Sequence, residues 1–119
     1  MTPFSIKHIT PTDSGFRAIM TADAESVIYK AHFPGRPVTP GACLVEAVCD
    51  LMERHCGRKH RLREIKNVKF LSIIIPDGQG DVVFDIICGA EESSPKYTVK
   101  ATISKGSSVC AKMSLVFEG

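Results

Sequence analysis

The sequence predicts an α+β domain in which an antiparallel sheet packs against one long helix. From Pro40 to about His55 the apolar residues recur every three or four positions, which is typical of a helix with one broad buried face. The second half of the chain alternates apolar and polar residues, most clearly over 97–104 and 109–117, which indicates half-buried strands. Short connections between these strands predict an antiparallel meander.

Apolar runs and turn residues predict the other elements. We expect strands over 4–9, 16–21, 27–29, 62–75 and 80–88, and turns at 10–15, 76–78 and 105–108. Thr39 is a candidate N-cap with Pro40 as the first helical residue, and Gly57 is a candidate C′ residue. Because one helix is too little cover for so wide a sheet, leftover apolar surface predicts a partner subunit, most simply in a two-fold dimer.

Length and composition limit the classes of protein to which the chain can belong. With 119 residues, we expect a single domain over 1–119 with one core. The apolar runs are too short to cross a membrane and the N-terminus lacks the features of a secretory signal, so we expect no membrane contact. The five cysteines have no paired spacing and are expected to pack as small apolar side chains in a reducing cytoplasm.

A loop rich in proline and glycine leads into the helix. It reads His32-Phe33-Pro34-Gly35-Arg36-Pro37-Val38-Thr39-Pro40-Gly41 and continues as Ala42-Cys43-Leu44-Val45-Glu46. Three prolines and two glycines in the ten residues 32–41 predict an ordered but irregular conformation. Such a loop can fix the geometry between the imidazole of His32 and the carboxylate of Glu46.

This loop resembles the signature of the hotdog-fold β-hydroxyacyl-acyl carrier protein dehydratases, in a short FabZ-like form. The segment 68–70 and the turn 76–78 are similar to the family's Lys-Phe strand and the turn that follows it. The resemblance implies an antiparallel sheet wrapped around a central helix, in dimers whose sheets join side by side. Two features differ from the family pattern: no segment like Leu-Pro-His-Arg-Tyr-Pro precedes the first strand, and Thr39 stands where methionine is usual.

The resemblance also implies the site residues. His32 and Glu46 match the catalytic pair, which in the family comes from two subunits and meets in a tunnel at their interface. Gly41 matches the glycine whose backbone N–H contacts the thioester carbonyl. The substrate-binding positions implied by the motif are Phe33, Val38, Pro40 and Gly41. Glutamate at position 46 is similar to the plain dehydratases and not to the dehydratase-isomerases.

The chemistry of dehydration suits these residue types. A histidine can take the proton beside a thioester carbonyl near neutral pH, because its unperturbed pKa is about 6.5. A carboxyl group in a dry tunnel can protonate the leaving hydroxyl, and a helix N-terminus stabilises enolate charge without a metal. Taken without the motif, His32 would be a structural loop histidine, and Glu46 would belong to a solvated face with Asp50 and Glu53.

A basic cluster follows the helix and contains seven of the fifteen lysines and arginines. It comprises Arg54, Arg58, Lys59, Arg61, Arg63, Lys66 and Lys69. We interpret Arg54, Arg58, Lys59 and Arg61 as a docking patch for an acidic acyl carrier protein, with a solvated turn as the equal alternative. The net charge of +2 and the single nearby aromatic residue, Phe70, argue against nucleic acid.

The sequence therefore predicts dehydration of β-hydroxyacyl-acyl carrier protein to the trans-2-enoyl product, in fatty acid or specialised lipid or polyene biosynthesis. We expect no metal and no other cofactor, since His55, Cys56 and His60 lack a further ligand pair. We expect a homodimer or a higher oligomer. Two alternatives remain: a hotdog acyl thioesterase, and a non-catalytic subunit that binds acyl carrier protein.

Overall fold

The computed structural model describes residues 2–31, 38–57, 61–76, 80–90 and 95–118, except for the side chain of Ala90. Within these ranges the chain forms six strands and two helices. The strands are β1 (Phe4–Pro11), β2 (Gly15–Ala22), β3 (Arg61–Phe70), β4 (Val82–Ala90), β5 (Lys96–Lys105) and β6 (Ser108–Glu118). The helices are α1 (Val27–Ala31) and α2 (Gly41–Cys56).

All six strands belong to one antiparallel sheet with the order β1-β2-β4-β5-β6-β3. The predicted meander is confirmed for β4, β5 and β6, and the tight turn between β5 and β6 has Gly106 at φ 63°. It is wrong for β3, which pairs with β6 and not with β4. Strand β3 therefore lies at one edge of the sheet and β1 at the other.

The long helix α2 packs its apolar face against the sheet. Its buried side chains recur at helical spacing and include Leu44, Val48, Leu51 and Met52. They share one core with the inward side chains of the sheet, which are Phe16, Ala18, Met20, Val82, Phe84, Ile86, Val99, Ala101, Ile103, Ala111, Met113, Leu115 and Phe117. Burial of each large side chain contributes about 1.5–3 kcal/mol to stability. The α+β prediction is confirmed.

The helix ends where the sequence predicts. Gly57 adopts the left-handed conformation at φ 73°, and its backbone N–H donates to the Glu53 carbonyl at 3.0 Å. This hydrogen bond closes the last turn of the helix. A residue with a Cβ at this position would adopt the left-handed conformation only at a cost in backbone strain.

Two predictions of secondary structure are wrong. Residues 27–29 belong to α1 and not to a strand, because Ser26 Oγ accepts a hydrogen bond from the Ile28 N–H at 3.3 Å and starts a helical turn. The strand predicted over 62–75 ends at Phe70. There the N–H groups of Leu71 and Ser72 both donate to the Cys110 carbonyl, at 2.8 and 3.2 Å, so the regular ladder stops.

Candidate active site

The segment before α2 is attached to the core by a buried threonine. The Thr39 hydroxyl donates to the Ile74 carbonyl at 2.9 Å and accepts a hydrogen bond from the Tyr29 hydroxyl at 2.8 Å. The Thr39 backbone N–H donates to the same Ile74 carbonyl at 3.0 Å. Burial raises the pKa of Tyr29, which keeps its phenol protonated as a donor. Thr39 thus ties α1, the loop and the segment after β3 together.

This arrangement corrects the predicted helix cap. Pro40 occupies the N-cap position, Gly41 begins the helix, and no side chain caps it. Thr39 does not cap the helix, since it lies one residue before the N-cap and its hydroxyl contacts Tyr29 and Ile74 instead. The Cys43 N–H donates to the Pro40 carbonyl at 3.0 Å. The N–H groups of Gly41 and Ala42 precede the regular hydrogen bonds of the helix and lie at the positive end of its dipole.

We expect Thr39→Val to lower the free energy of unfolding by about 1–3 kcal/mol, because the buried Tyr29 hydroxyl loses its acceptor. Urea denaturation measures this change. In the double variant Thr39→Val/Tyr29→Phe both polar partners are gone, so the second substitution should recover part of the loss. A Thr39→Val protein as stable as the parent would contradict this account of the loop.

Gly41 lies under the ring of Phe70. A Cβ placed on Gly41 would come within 2.6 Å of Phe70 Cζ, too close for any side chain unless the ring moved. The Phe70 ring is nevertheless 56% exposed, since it stands at the end of the edge strand β3. The start of α2 therefore has an aromatic wall on one side, and its glycine permits that close approach.

Glu46 lies on α2 about 7.5 Å along the helix axis from Gly41. Its side chain is half-buried. Loss of hydration is the main cause that raises the pKa of the buried Cys43 thiol and of the largely exposed Asp50 carboxyl, and the negative charge of Glu46 is the next cause for both. Glu46 thus shares one helix face with Cys43 and Asp50. The N-terminus of the same helix, at Gly41, can bind negative charge.

The other predicted site residues are only partly placed. Val38, Pro40 and Gly41 are half-buried around the start of α2. His32 and Phe33 lie outside the described residues, so the pairing of His32 with Glu46 stays a prediction. Arg54 is exposed in the last turn of α2 and Arg61 is exposed at the start of β3, whereas Arg58 and Lys59 lie outside the described residues.

The sequence places Asp50 on one helix face with Glu46, and the structure leaves its side chain exposed there. Two features of the site were missed from the sequence. The contact between Phe70 and Gly41 and the bridge between Tyr29 and Thr39 join residues far apart in sequence, and no local pattern indicates them. The prediction that all five cysteines are buried is wrong for Cys56, which is exposed at the end of α2.

No group of three or more His, Cys, Asp or Glu side chains within the described ranges is arranged to hold a metal ion. The helices in this part of the chain are all too short or too polar to span a membrane.

Residues 8–112 match the model of the ApeI-like family, which is described as ApeI dehydratase. The chain belongs to this family. As an ApeI-like chain it is also similar to curated proteins named 3-hydroxyacyl-acyl-carrier-protein dehydratase FabZ. The protein from Levilactobacillus brevis is 31% identical over 96 residues, which cover 75% of this chain and 63% of that protein. The protein from Clostridium acetobutylicum is 33% identical over 63 residues, which cover 47% of this chain and 43% of that protein.

The matched regions thus span less than two thirds of these relatives. Among solved structures, the dehydratase heterocomplex ApeI:P from Xenorhabdus doucetiae matches with a TM-score of 0.77 and 17% identity over 100% of both chains. An uncharacterised protein from Erwinia carotovora subsp. atroseptica matches with a TM-score of 0.70 and 17% identity, over 98% of this chain and 95% of that one. At this identity the likeness shows the fold, and the predicted hotdog fold of the ApeI-like chain is confirmed.

Proposed function

We propose that this ApeI-like chain dehydrates β-hydroxyacyl groups carried by acyl carrier protein, with His32 and Glu46 as its catalytic residues. The observation that carries this proposal is the position of Glu46. It is a half-buried carboxylate on the helix that starts at Gly41, in a chain whose family is that of a dehydratase.

In the proposed reaction His32 removes a proton from C2 of the acyl chain, and the electron pair becomes the new double bond between C2 and C3. Glu46 delivers a proton to the hydroxyl on C3, which leaves as water. The enolate charge that develops on the thioester oxygen is stabilised by the backbone N–H of Gly41 and by the helix dipole. The steps need no metal and no redox partner.

A second subunit would complete the site. Among the described residues, strand β3 pairs only with β6. The apolar side chains on β3 and just after it are exposed, namely Ile65, Phe70, Leu71, Ile73 and Ile75. We propose that two such edges join in a homodimer, so that His32 of one subunit meets Glu46 of the other. A related hotdog subunit could occupy the same edge, since the ApeI:P structure is a heterocomplex.

Mass spectrometry of a β-hydroxyacyl-carrier protein incubated with the pure chain tests the proposed activity. Dehydration appears as the loss of one water from the acyl-carrier species. Loss of the whole acyl group instead would identify a thioesterase. An unchanged substrate that still co-elutes with the chain would identify a non-catalytic binding subunit. Sedimentation of the same sample reports whether the chain assembles with itself, as the homodimer requires.

We expect charge reversal in the basic cluster to weaken docking of the acidic carrier protein. In the variant Arg58→Glu/Lys59→Glu/Arg61→Glu, KM for the carrier-bound substrate should rise about tenfold relative to KM for a short pantetheine thioester. The difference should shrink with added salt, because exposed charges are screened over about 8 Å at physiological ionic strength. Arg54, the fourth predicted docking residue, is omitted because its side chain lines a groove between β1 and α2.

Lys100→Glu is the control, since Lys100 is exposed on β5 outside the basic cluster. An equal rise of KM for both substrates would mean that the reversed charges damage the site itself. No rise for either would identify the cluster as a solvated surface.

A further inference from the structure

Two cysteines from distant parts of the chain converge at the C-terminal end of α2. Cys56 is the last residue of the helix and its side chain is exposed, whereas Cys88 lies on β4 and is half-buried against the core. The two residues are 32 positions apart in sequence. Neither takes part in the proposed reaction, which is placed near the N-terminal end of α2.

Contacts on the helix side bring the two cysteines together. The Cys88 thiol donates a weak hydrogen bond to the Met52 thioether, with 3.9 Å between the two sulfur atoms. Met52 precedes Cys56 by four residues, so both side chains lie on one face of α2, about 6 Å apart along its axis. Cys56 therefore lies one helical turn beyond the residue that Cys88 contacts.

Contacts on the sheet side lead to the same place. The Cys56 sulfur lies 3.9 Å from the Tyr97 hydroxyl. Cys88 pairs with Val99 on β5, two residues from Tyr97, so Tyr97 is a diagonal neighbour of Cys88 on the same face of the sheet. Both Cys88 and Tyr97 pack against the core. The helix and the sheet thus place both thiols at one corner of the core.

The two thiols are also close enough to interact electrostatically. Burial raises the pKa of the Cys88 thiol, and the negative charge of the Cys56 thiolate is the next cause. Cys88 therefore stays protonated, and the exposed Cys56 sulfur is the one that a soluble reagent reaches first. Once the Cys56 sulfur is bonded to another sulfur its charge is gone, and the Cys88 thiol ionises more readily.

We propose that Cys56 and Cys88 form a reversible disulfide that fastens the end of α2 to β4 when the surrounding thiol pool is oxidised. The oxidant is a low-molecular-weight disulfide such as oxidised glutathione. The Cys56 thiolate attacks one of its sulfurs, so that a mixed disulfide forms and one glutathione leaves as its thiolate. The Cys88 thiolate then attacks the Cys56 sulfur, and the second glutathione leaves in the same way. The two glutathione thiolates take up the two protons that the cysteines lose, so two cysteines are oxidised and one glutathione disulfide is reduced.

The last turn of α2 can make the adjustment that this bond requires. A disulfide needs its two Cα atoms about 4.4–6.8 Å apart. The turn that carries Cys56 is closed by the hydrogen bond from the Gly57 N–H to the Glu53 carbonyl at the end of the helix. Helix ends open more readily than turns that are packed in the core. Cys56 can therefore approach β4 while Met52 stays buried.

The test incubates the full chain with oxidised glutathione and maps its peptides by mass spectrometry without reduction. The parent should yield a cross-linked pair of peptides that contain Cys56 and Cys88, and a thiol reductant should separate them. In Cys88→Ser the reaction should stop at the mixed disulfide, so that Cys56 carries one glutathione. In Cys56→Ser neither the cross-link nor an adduct should form. Cys49→Ser changes a half-buried cysteine elsewhere on α2 and is the matched control, which should keep the cross-link.

Thermal unfolding gives a second readout. The cross-link closes a loop of about 30 residues in the unfolded chain, so oxidation should raise the Tm of the parent by about 5–15 °C and have no such effect on either serine variant. If the oxidised parent instead keeps a glutathione on Cys56, as Cys88→Ser does, the two thiols do not meet and this inference is wrong. A cross-link between the Cys56 residues of two copies would also overturn it. The proposed dehydration stands or falls separately, because neither cysteine takes part in it.

Discussion

His32→Ala lowers kcat/KM for dehydration by about a hundred- to ten-thousand-fold, if His32 is the base that removes the C2 proton. No other group can take over easily, because a proton beside a thioester carbonyl is weakly acidic and needs a base poised near neutral pH. The measurement is single-substrate kinetics with a β-hydroxyacyl thioester, followed by the absorbance of the enoyl product. Alanine has no titratable group and removes the imidazole without adding bulk.

The control for this variant is His55→Ala. His55 stacks on Phe16 with ring centroids 4.6 Å apart at the far end of α2, so its loss should affect stability and leave the chemistry in place. Circular dichroism must show that His32→Ala retains the fold of the parent. A folded His32→Ala protein with turnover near that of the parent would remove His32 from the mechanism and return it to a structural role in the loop.

Much of the fold was accessible to sequence reasoning because its signals are local. The spacing of Leu44, Val48 and Leu51 predicts α2, and the alternation over 97–104 and 109–117 predicts β5 and β6 to within a residue or two. Gly57 ends the helix for a reason contained in its own backbone freedom. These features depend on residues within one or two turns of each other.

The errors arise where distant residues decide the structure. The pairing of β3 with β6 depends on packing across the whole sheet, and nothing within residues 61–70 specifies that partner. Thr39 is a residue type that often caps helices, but its hydroxyl instead forms buried hydrogen bonds with Tyr29 and Ile74. For α1, four apolar or aromatic residues in five positions fit a strand as well as a helical turn, and Ser26 favours the helical turn.

The candidate site divides in the same way. A motif predicts Glu46 and Gly41 as site residues, and the structure places them on one helix with a half-buried carboxylate. The aromatic wall at Gly41 could not be anticipated, because Phe70 arrives from another strand. In the proposed dimer a partner subunit contributes the rest of the site, and the sequence of one chain does not specify how the residues of two chains meet.

Glu46→Gln is expected to reduce kcat for dehydration by about a hundred- to ten-thousand-fold, with little change in stability. Glutamine keeps the shape of the side chain and can still hydrogen-bond, but it has no proton to give to the leaving hydroxyl. Since the loss occurs in the chemical step, KM should change much less than kcat. Thermal unfolding of both proteins measures the stability, and a fall in the unfolding temperature of several degrees would indicate a structural role instead.

The control for this substitution is Glu53→Gln, because Glu53 lies on the same helix with an exposed side chain and the exchange removes the same charge. Its kcat should equal that of the parent. Equal effects of Glu46→Gln and Glu53→Gln would mean that the charge of the helix matters and not the proton of Glu46. A structure of the assembled protein decides the pairing directly: Glu46 must lie within reach of a substrate hydroxyl beside a His32 imidazole, and a Glu46 in open solvent, remote from every His32, would refute the mechanism because no single substrate could then contact both groups.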